Sequence, residues 1–235
     1  GLAWRTMRST TSLMPGERIS CVGCHESKRE VSYGPISVAL KQPARELKLT
    51  PEAGRPWGFV ENVQPIFDAK CVSCHGDKDP PKGISLTRTP DVRFSEKAEV
   101  VETGPLQYSA PFTKSYATLC FTDDPAVKKP NTMKPFLCWK VRMGKDMQGR
   151  PAQMVPCWPE YNHVQTTPEG PGNNALGSGL FGKLSRGKHA KMLTDAEKRV
   201  LATWIDLNAT FYGCYEEPCL TDQFNGKPIP MPERQ

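Results

Sequence analysis

Histidine is scarce in this 235-residue chain: there are four, His25, His75, His163 and His189. Apolar residues are also few, at 37%, and no stretch reaches the roughly 18 consecutive apolar residues of a spanning helix, so the chain is expected not to cross a membrane. No secretory signal peptide opens it, which implies either that one was removed or that Gly1 begins a fragment. Nothing has the pattern of a nucleophilic triad, a phosphate-cradling loop or a nucleic-acid surface, and no catalytic residue is assigned. There is no low-complexity tract and no internal repeat beyond one short motif that occurs twice. With 23 Pro and 19 Gly, the composition predicts a loop-rich fold held by something more than its apolar side chains.

Cysteine, by contrast, is plentiful. Four of the nine fall in two Cys-x-x-Cys-His motifs, Cys21, Cys24, His25 and Cys71, Cys74, His75. This is the attachment pattern for c-type haem, in which two thiols one helical turn apart form thioethers to the vinyls and the next residue's imidazole ligates the iron. With nine Cys and four His, chance would produce one such match only about 0.006 times. Zinc is the rival, since Cys-x-x-Cys is half of a zinc ribbon, but that reading leaves both motif histidines unexplained. Two covalently bound haem c groups, each an iron porphyrin, are therefore expected. Their propionates would add about four negative charges, so the formal charge of +6 is not a nucleic-acid signature.

Haem c is attached on the oxidising side of a membrane, and five further cysteines (Cys120, Cys138, Cys157, Cys214, Cys219) would be unusual in a reduced cytosol, so an extracytoplasmic location is expected. Cys214 and Cys219 make the best disulfide pair, closing a short loop for roughly 2 kcal/mol. Cys120 and Cys138 are a second candidate pair. One cysteine then stays free or bonds elsewhere, and spacing alone does not settle the connectivity.

Taken in order, residues 1–58 predict a small haem-binding lobe followed by a proline-rich linker, with Pro35, Pro43, Pro51 and Pro56 precluding a long helix. From Asn62, a candidate N-cap, Val63, Ile66 and Phe67 line one face of a helix running into Cys71, with Pro65 in its first turn. Thr194 and Glu197 form a capping box, after which Val200, Leu201, Trp204, Ile205 and Asn208 fall on one stripe. Residues 59–213 resemble class I cytochromes c at both ends, where such helices cross beside the haem. Residues 88–174 read as a long insertion of loops and short elements, and 214–235 as a surface tail. The expected fold class is mainly α with extensive loops, a class I cytochrome c-like domain preceded by a small haem lobe. Trp57, Trp139 and Trp158 are expected to pack against haem or proline.

A second resemblance covers most of the chain. The segment MRSTTSLMPGERISCVGCHE is similar to one in proteins related to the alpha subunit of hydrazine synthase, a family of multidomain haem proteins. The likeness continues at Phe59 to Gly76, at Phe112 to Leu119 (FTKSYATL), at Gly187 to His189 and at Trp204 to Gly213 (WIDLNATFYG). It implies an upstream β-propeller domain, a larger redox complex, and a start at Gly1 inside a longer protein. In the hydrazine synthases a Tyr four residues past the first motif His ligates iron. This chain has Arg29 there and its nearest tyrosine is Tyr33, so the hydrazine-forming chemistry does not transfer on the motif alone.

His189, in the loop before the C-terminal helix, is the expected second ligand of the haem on His75, as the resemblance also implies, with Met192 as its competitor and a surface His without a ligand role as the remaining alternative. For the haem on His25 the candidate is His163, although a lone His in a proline-flanked loop is more often a solvated polar residue. The alternatives are an open position, Tyr33, or one of Met7, Met14, Met133, Met147 and Met154, most of which read as packing residues. The function expected is that of a dihaem electron-transfer module serving redox protein partners or other cytochrome subunits. The alternatives are a haem-based redox enzyme with an open first haem, hydrazine synthase-like or peroxidase-like, and a structural docking module.

Overall fold

An aromatic nucleus gathers three separated stretches of the chain. The computed structural model describes residues 14–17, 41–43, 55–91, 112–123, 139–156, 174–214 and 219–229. Their elements run α1 (Phe59–Asn62), α2 (Gln64–Lys70), a 3-10 turn at Pro81–Gly83, α3 (Lys114–Cys120), β1 (Phe121–Asp123), β2 (Trp139–Val141), β3 (Met143–Lys145), β4 (Pro151–Gln153), α4 (Gly179–Leu184), a 3-10 turn at Gly187–Lys191, α5 (Asp195–Asp206) and α6 (Cys219–Phe224). The strands form two separate antiparallel pairs, β1 with β2 (Phe121 opposite Val141) and β3 with β4 (Met143 opposite Gln153). Among the described residues no helix is long and apolar enough to cross a membrane.

The helix expected from Asn62 starts earlier and is broken. Gly58 is the N-cap of α1, and Asn62 ends that helix, its amide donating back to the Gly58 carbonyl at 3.0 Å. Pro65 explains the break at Val63: it has no N–H, and its ring would clash with the carbonyl four residues back, so the helix restarts with Pro65 in the first turn of α2. The predicted capping box is present. Thr194 Oγ1 accepts from Glu197 N–H at 3.2 Å while the Glu197 carboxylate accepts from Thr194 N–H at 2.7 Å.

α5 runs antiparallel to α1 and α2. Its first turn meets the end of α2 through Glu197 and Lys70 at 3.8 Å, and its last turn puts the Trp204 ring 5.2 Å from that of Phe59. Beyond α5 the chain reverses through Asn208 (φ 72°) and Ala209 (φ 49°), a left-handed conformation that costs side chains other than glycine about 1 kcal/mol each. Two bonds hold it: the Trp204 indole donates to Thr210 O at 2.9 Å and the Tyr116 hydroxyl to Ala209 O at 3.0 Å. The reversal delivers Phe211 onto Phe59, rings stacked at 5.7 Å, and Phe211 O accepts from Phe59 N–H at 2.9 Å. Trp57 is buried in this core, with the Arg55 guanidinium over its ring at 4.9 Å. Trp139 lies on β2, where its side chain is not described, and Trp158 lies outside the described residues.

Two segments contribute more to this core than their sequence suggested. Within 88–174, α3 buries Tyr116, Ala117, Leu119 and Cys120, capped by Thr113. In 214–235, Gln223 and Ile229 are buried; Gln223 accepts from Gly213 N–H at 2.6 Å and donates to Cys214 O at 2.8 Å, so the tail packs on the domain at least as far as Ile229. Both segments are pinned by apolar burial and hydrogen bonds. Cys214 carries a free thiol and the side chain of Cys219 is not described, so the first expected disulfide is not seen. Cys120 O accepts from Arg142 N–H at 2.8 Å, and Cys138 and Cys157 lie outside the described residues.

Candidate metal and haem-attachment site

The second motif follows directly from α2. Cys71 caps that helix through its N–H to Phe67 O at 2.8 Å, and one further turn carries Cys74 and His75, whose N–H groups both reach Cys71 O at 3.1 and 2.9 Å. That turn leaves Cys71 half-buried and Cys74 exposed. Burial, with Glu197 and Cys74 adding to it, pushes the Cys71 thiol up to about 11, so at neutral pH it is held as the thiol.

His75 is oriented by an extended strap, residues 84–91, that follows the 3-10 turn. Ile84 O lies 2.9 Å from His75 Nδ1, and Leu86 N–H donates to His75 O at 2.8 Å. The carbonyl requires a proton on Nδ1, which leaves the Nε2 lone pair free for a metal. The turn before the strap has Lys82 (φ 60°) and Gly83 (φ 65°) in the left-handed region, and the Arg142 guanidinium donates to both of their carbonyls, at 3.2 and 3.3 Å. Asp77 accepts from Ser85, Thr87 and Thr89 of the strap. Thr87 above all holds its carboxyl at about 2 against the opposing effect of burial.

Opposite His75 stands His189, on the 3-10 turn between α4 and α5. The turn is tied to α5 by Lys198 Nζ, which donates to Ala190 O at 3.0 Å. The two imidazole centroids are 6.4 Å apart with the rings inclined at 45°. Two metal–nitrogen bonds of about 2 Å, plus roughly 1.1 Å from each nitrogen to its ring centre, span about 6.2 Å, so this separation suits one metal ligated from both sides. Burial first, then Lys188, His75 and Lys183, lowers the pKa of His189 and favours the neutral imidazole that a metal requires. Met192, its competitor, is half-buried one turn further on.

Among the described residues no group of three or more His, Cys, Asp or Glu side chains is arranged to hold a metal ion alone. The donor set at His75 thus lacks the convergent tetrahedral shell that a structural zinc uses. Two facing imidazoles beside two thiols are the donors that a c-type haem, bringing four nitrogens of its own, would require of the chain.

Cys21, Cys24, His25 and His163 lie outside the described residues, as do Arg29, Tyr33, Met7 and Met133. Of the remaining methionines, Met14 is exposed and Met154 is buried against the close crossing of Gly144 and Gly179. Met147 lines an open pocket of about 280 Å³ with Phe181, Leu184 and Ser185 of α4 and Asp195 and Lys198 of α5; neither His75 nor His189 lines it. The strap and Asp77 were not singled out from the sequence, although the alternation Ser85, Thr87, Thr89 has the period of an extended strand presenting one hydroxyl face. No protein-family model matches the chain, and comparison with curated proteins and with solved structures finds no match either.

Proposed function

We propose that this chain is a dihaem c-type cytochrome module that transfers single electrons. One haem would be held by Cys21, Cys24 and His25 with His163, the other by Cys71, Cys74 and His75 with His189. The observation that carries the reading is the pair of imidazoles at 6.4 Å, one of them held by a backbone carbonyl so that its Nε2 is free, beside two thiols a helical turn apart. A c-type haem, when bound, supplies reversible one-electron chemistry at its iron.

The chain's residues do the rest. Cys71 and Cys74 present thiols at neighbouring points on one turn, Ile84 O orients the His75 ring, and the 3-10 turn brings His189 to the opposite side. If His75 and His189 both held the haem, this second site would leave no position for a substrate, which favours electron transfer over catalysis there. Haem c attachment would call for an extracytoplasmic, oxidising compartment, where the module would pass electrons to redox proteins or other cytochrome subunits within a larger complex.

Denaturing mass spectrometry of the native protein should show two covalent haem increments, and a mass equal to bare polypeptide overturns the reading. His189→Ala should convert one haem from low to high spin. If that variant leaves the spectrum unchanged while Met192→Ala converts it, Met192 is the ligand.

A further inference from the structure

Three hydroxyls of the strap converge on one carboxylate. Ser85 and Thr87 donate to Asp77 Oδ1 at 2.9 and 2.6 Å, Thr89 donates to Oδ2 at 3.1 Å, and Lys114 Nζ stands 3.2 Å away. The hydroxyl oxygens also lie within hydrogen-bond reach of one another, Ser85 and Thr87 at 3.0 Å and Thr87 and Thr89 at 2.8 Å, so their three protons can be shared between the carboxylate and the neighbouring hydroxyls. The strap is fixed from its other side by the first turn of α3, where Lys114 N–H donates to Thr89 O and Ser115 N–H to Thr87 O.

Stability alone is a poor reason for this cluster. Asp77 keeps 38% of its side-chain exposure and Lys114 32%, and ion pairs this open contribute little to folding. What the cluster does is close a ring of contacts around the motif histidine. Asp77 is two residues past His75; it grips Ser85, whose neighbours Ile84 and Leu86 hold the ring and the backbone of that same histidine.

Resting on the haem reading above, we propose that Asp77 is a positioning residue. By clasping Ser85, Thr87 and Thr89 it holds the Ile84 carbonyl against His75 Nδ1, and so sets the donor strength of His75 toward its metal and the reduction potential of that haem. A tight Nδ1–H to carbonyl bond makes the imidazole a stronger donor, favours the oxidised metal and keeps the potential low. Loosening the clasp should raise it.

The test separates geometry from charge. Thr87→Val combined with Thr89→Val removes two donors and leaves every charge in place, Asp77→Asn removes the charge, and Asp77→Glu restores it on a longer arm. Each full-length protein is first checked for two haems by denaturing mass and then titrated potentiometrically. Amide exchange at Leu86 is followed by NMR.

One of the two redox transitions should move upward in the double Val variant and in Asp77→Asn while the other stays. Leu86 exchange should accelerate by about tenfold or more in both, with Asp77→Glu closer to the unmodified protein. A shift in Asp77→Asn alone, with the double Val variant unchanged, reduces the effect to charge and overturns the proposal. So does unchanged Leu86 exchange. An unmodified protein without haem overturns the functional reading and this proposal together, whereas two haems with no shift overturns only this one.

Discussion

Gln64 offers the sharpest test of how the site is supported, because it is almost fully buried, 1% exposed, in the first turn of α2. Its amide nitrogen donates to Leu86 O at 3.0 Å and to Asp68 Oδ1 at 2.8 Å, and its carbonyl oxygen accepts from the Ser115 hydroxyl. One side chain thus joins α2, the strap and α3. Gln64→Leu nearly keeps the volume and leaves the partners behind. The orphaned Leu86 carbonyl costs about 1–3 kcal/mol; Ser115 retains Thr113 at 2.7 Å, and Asp68 turns to water, so each of these adds less. The expected loss is about 3 kcal/mol, or roughly 6–12 °C in Tm for a domain of this size.

Urea unfolding followed by circular dichroism should show a lower midpoint at unchanged slope. Gln64→Glu sharpens the test. It can still accept from Ser115, but it cannot donate to Leu86 O, and it buries a carboxylate beside Asp68, so it should be less stable than Gln64→Leu at neutral pH and recover as the pH falls and the new carboxyl protonates. A Gln64→Leu variant within about 0.5 kcal/mol of the unmodified protein would refute the reasoning, since that is the range of surface changes that touch nothing.

Further outcomes follow from the same geometry. Thr194→Ala removes the cap of α5 and should cost about 1 kcal/mol, read as a lowered urea midpoint. Gly182→Ala would set a Cβ 1.8 Å from Lys145 O, backbone that cannot rotate away, so α4 must part from the β3–β4 hairpin, and thermal unfolding should show a loss of about 3 kcal/mol or more. At Asp146 burial pushes the carboxyl up, but the Arg150 side chain and the N–H groups of Arg150 and Gln148 outweigh it and hold it below the usual 3.8. Its folded pKa being depressed, its contribution is fully present above the unfolded value of about 3.8 and is lost as pH falls from there through the folded pKa. Asp146→Asn should therefore cost about 2 kcal/mol at pH 6 by urea unfolding, with the gap to the unmodified protein narrowing below about pH 4.

What could be read from the sequence depended on whether a segment's apolar period was intact. The start of α5 was legible, because Thr194 and Glu197 mark it and Leu201, Trp204 and Ile205 keep the helical spacing; its end was not, since the stripe read through Asn208 overruns the helix, which stops at Asp206 before Asn208 turns left-handed. α3 was not. It has only seven residues, and the capping Thr113 and Ser115 are buried polar groups bonded to each other, with Ser115 donating to Gln64, so the stripe that would reveal a core helix is interrupted by polar residues. The tail misled for a related reason: its glycines and prolines read as surface, while the anchors Gln223 and Ile229 are single residues with no period to detect.

At the site, the sequence named the groups that would bind and missed the groups that aim them. Cys71, Cys74 and His75 stand out because covalent haem attachment would require that spacing along the chain, and His189 because histidine is so scarce that each one draws a reading. The Ile84 carbonyl could not be found this way, since every residue carries a carbonyl and only the fold selects which one meets Nδ1. Asp77 stands between these cases. An aspartate two residues after a motif is unremarkable, and an alternating Ser-x-Thr-x-Thr is unremarkable; what matters is that the reversal at Lys82 and Gly83 lays the second against the first. That reversal is held by Arg142, about sixty residues further on, inside the stretch that reads as an insertion. The insertion is therefore part of what orients the motif histidine, and a version of the domain lacking residues 88–174 would keep Cys71, Cys74, His75 and His189 while losing the end of the strap with Thr89, and Arg142, Lys114 and Ser115 from its support.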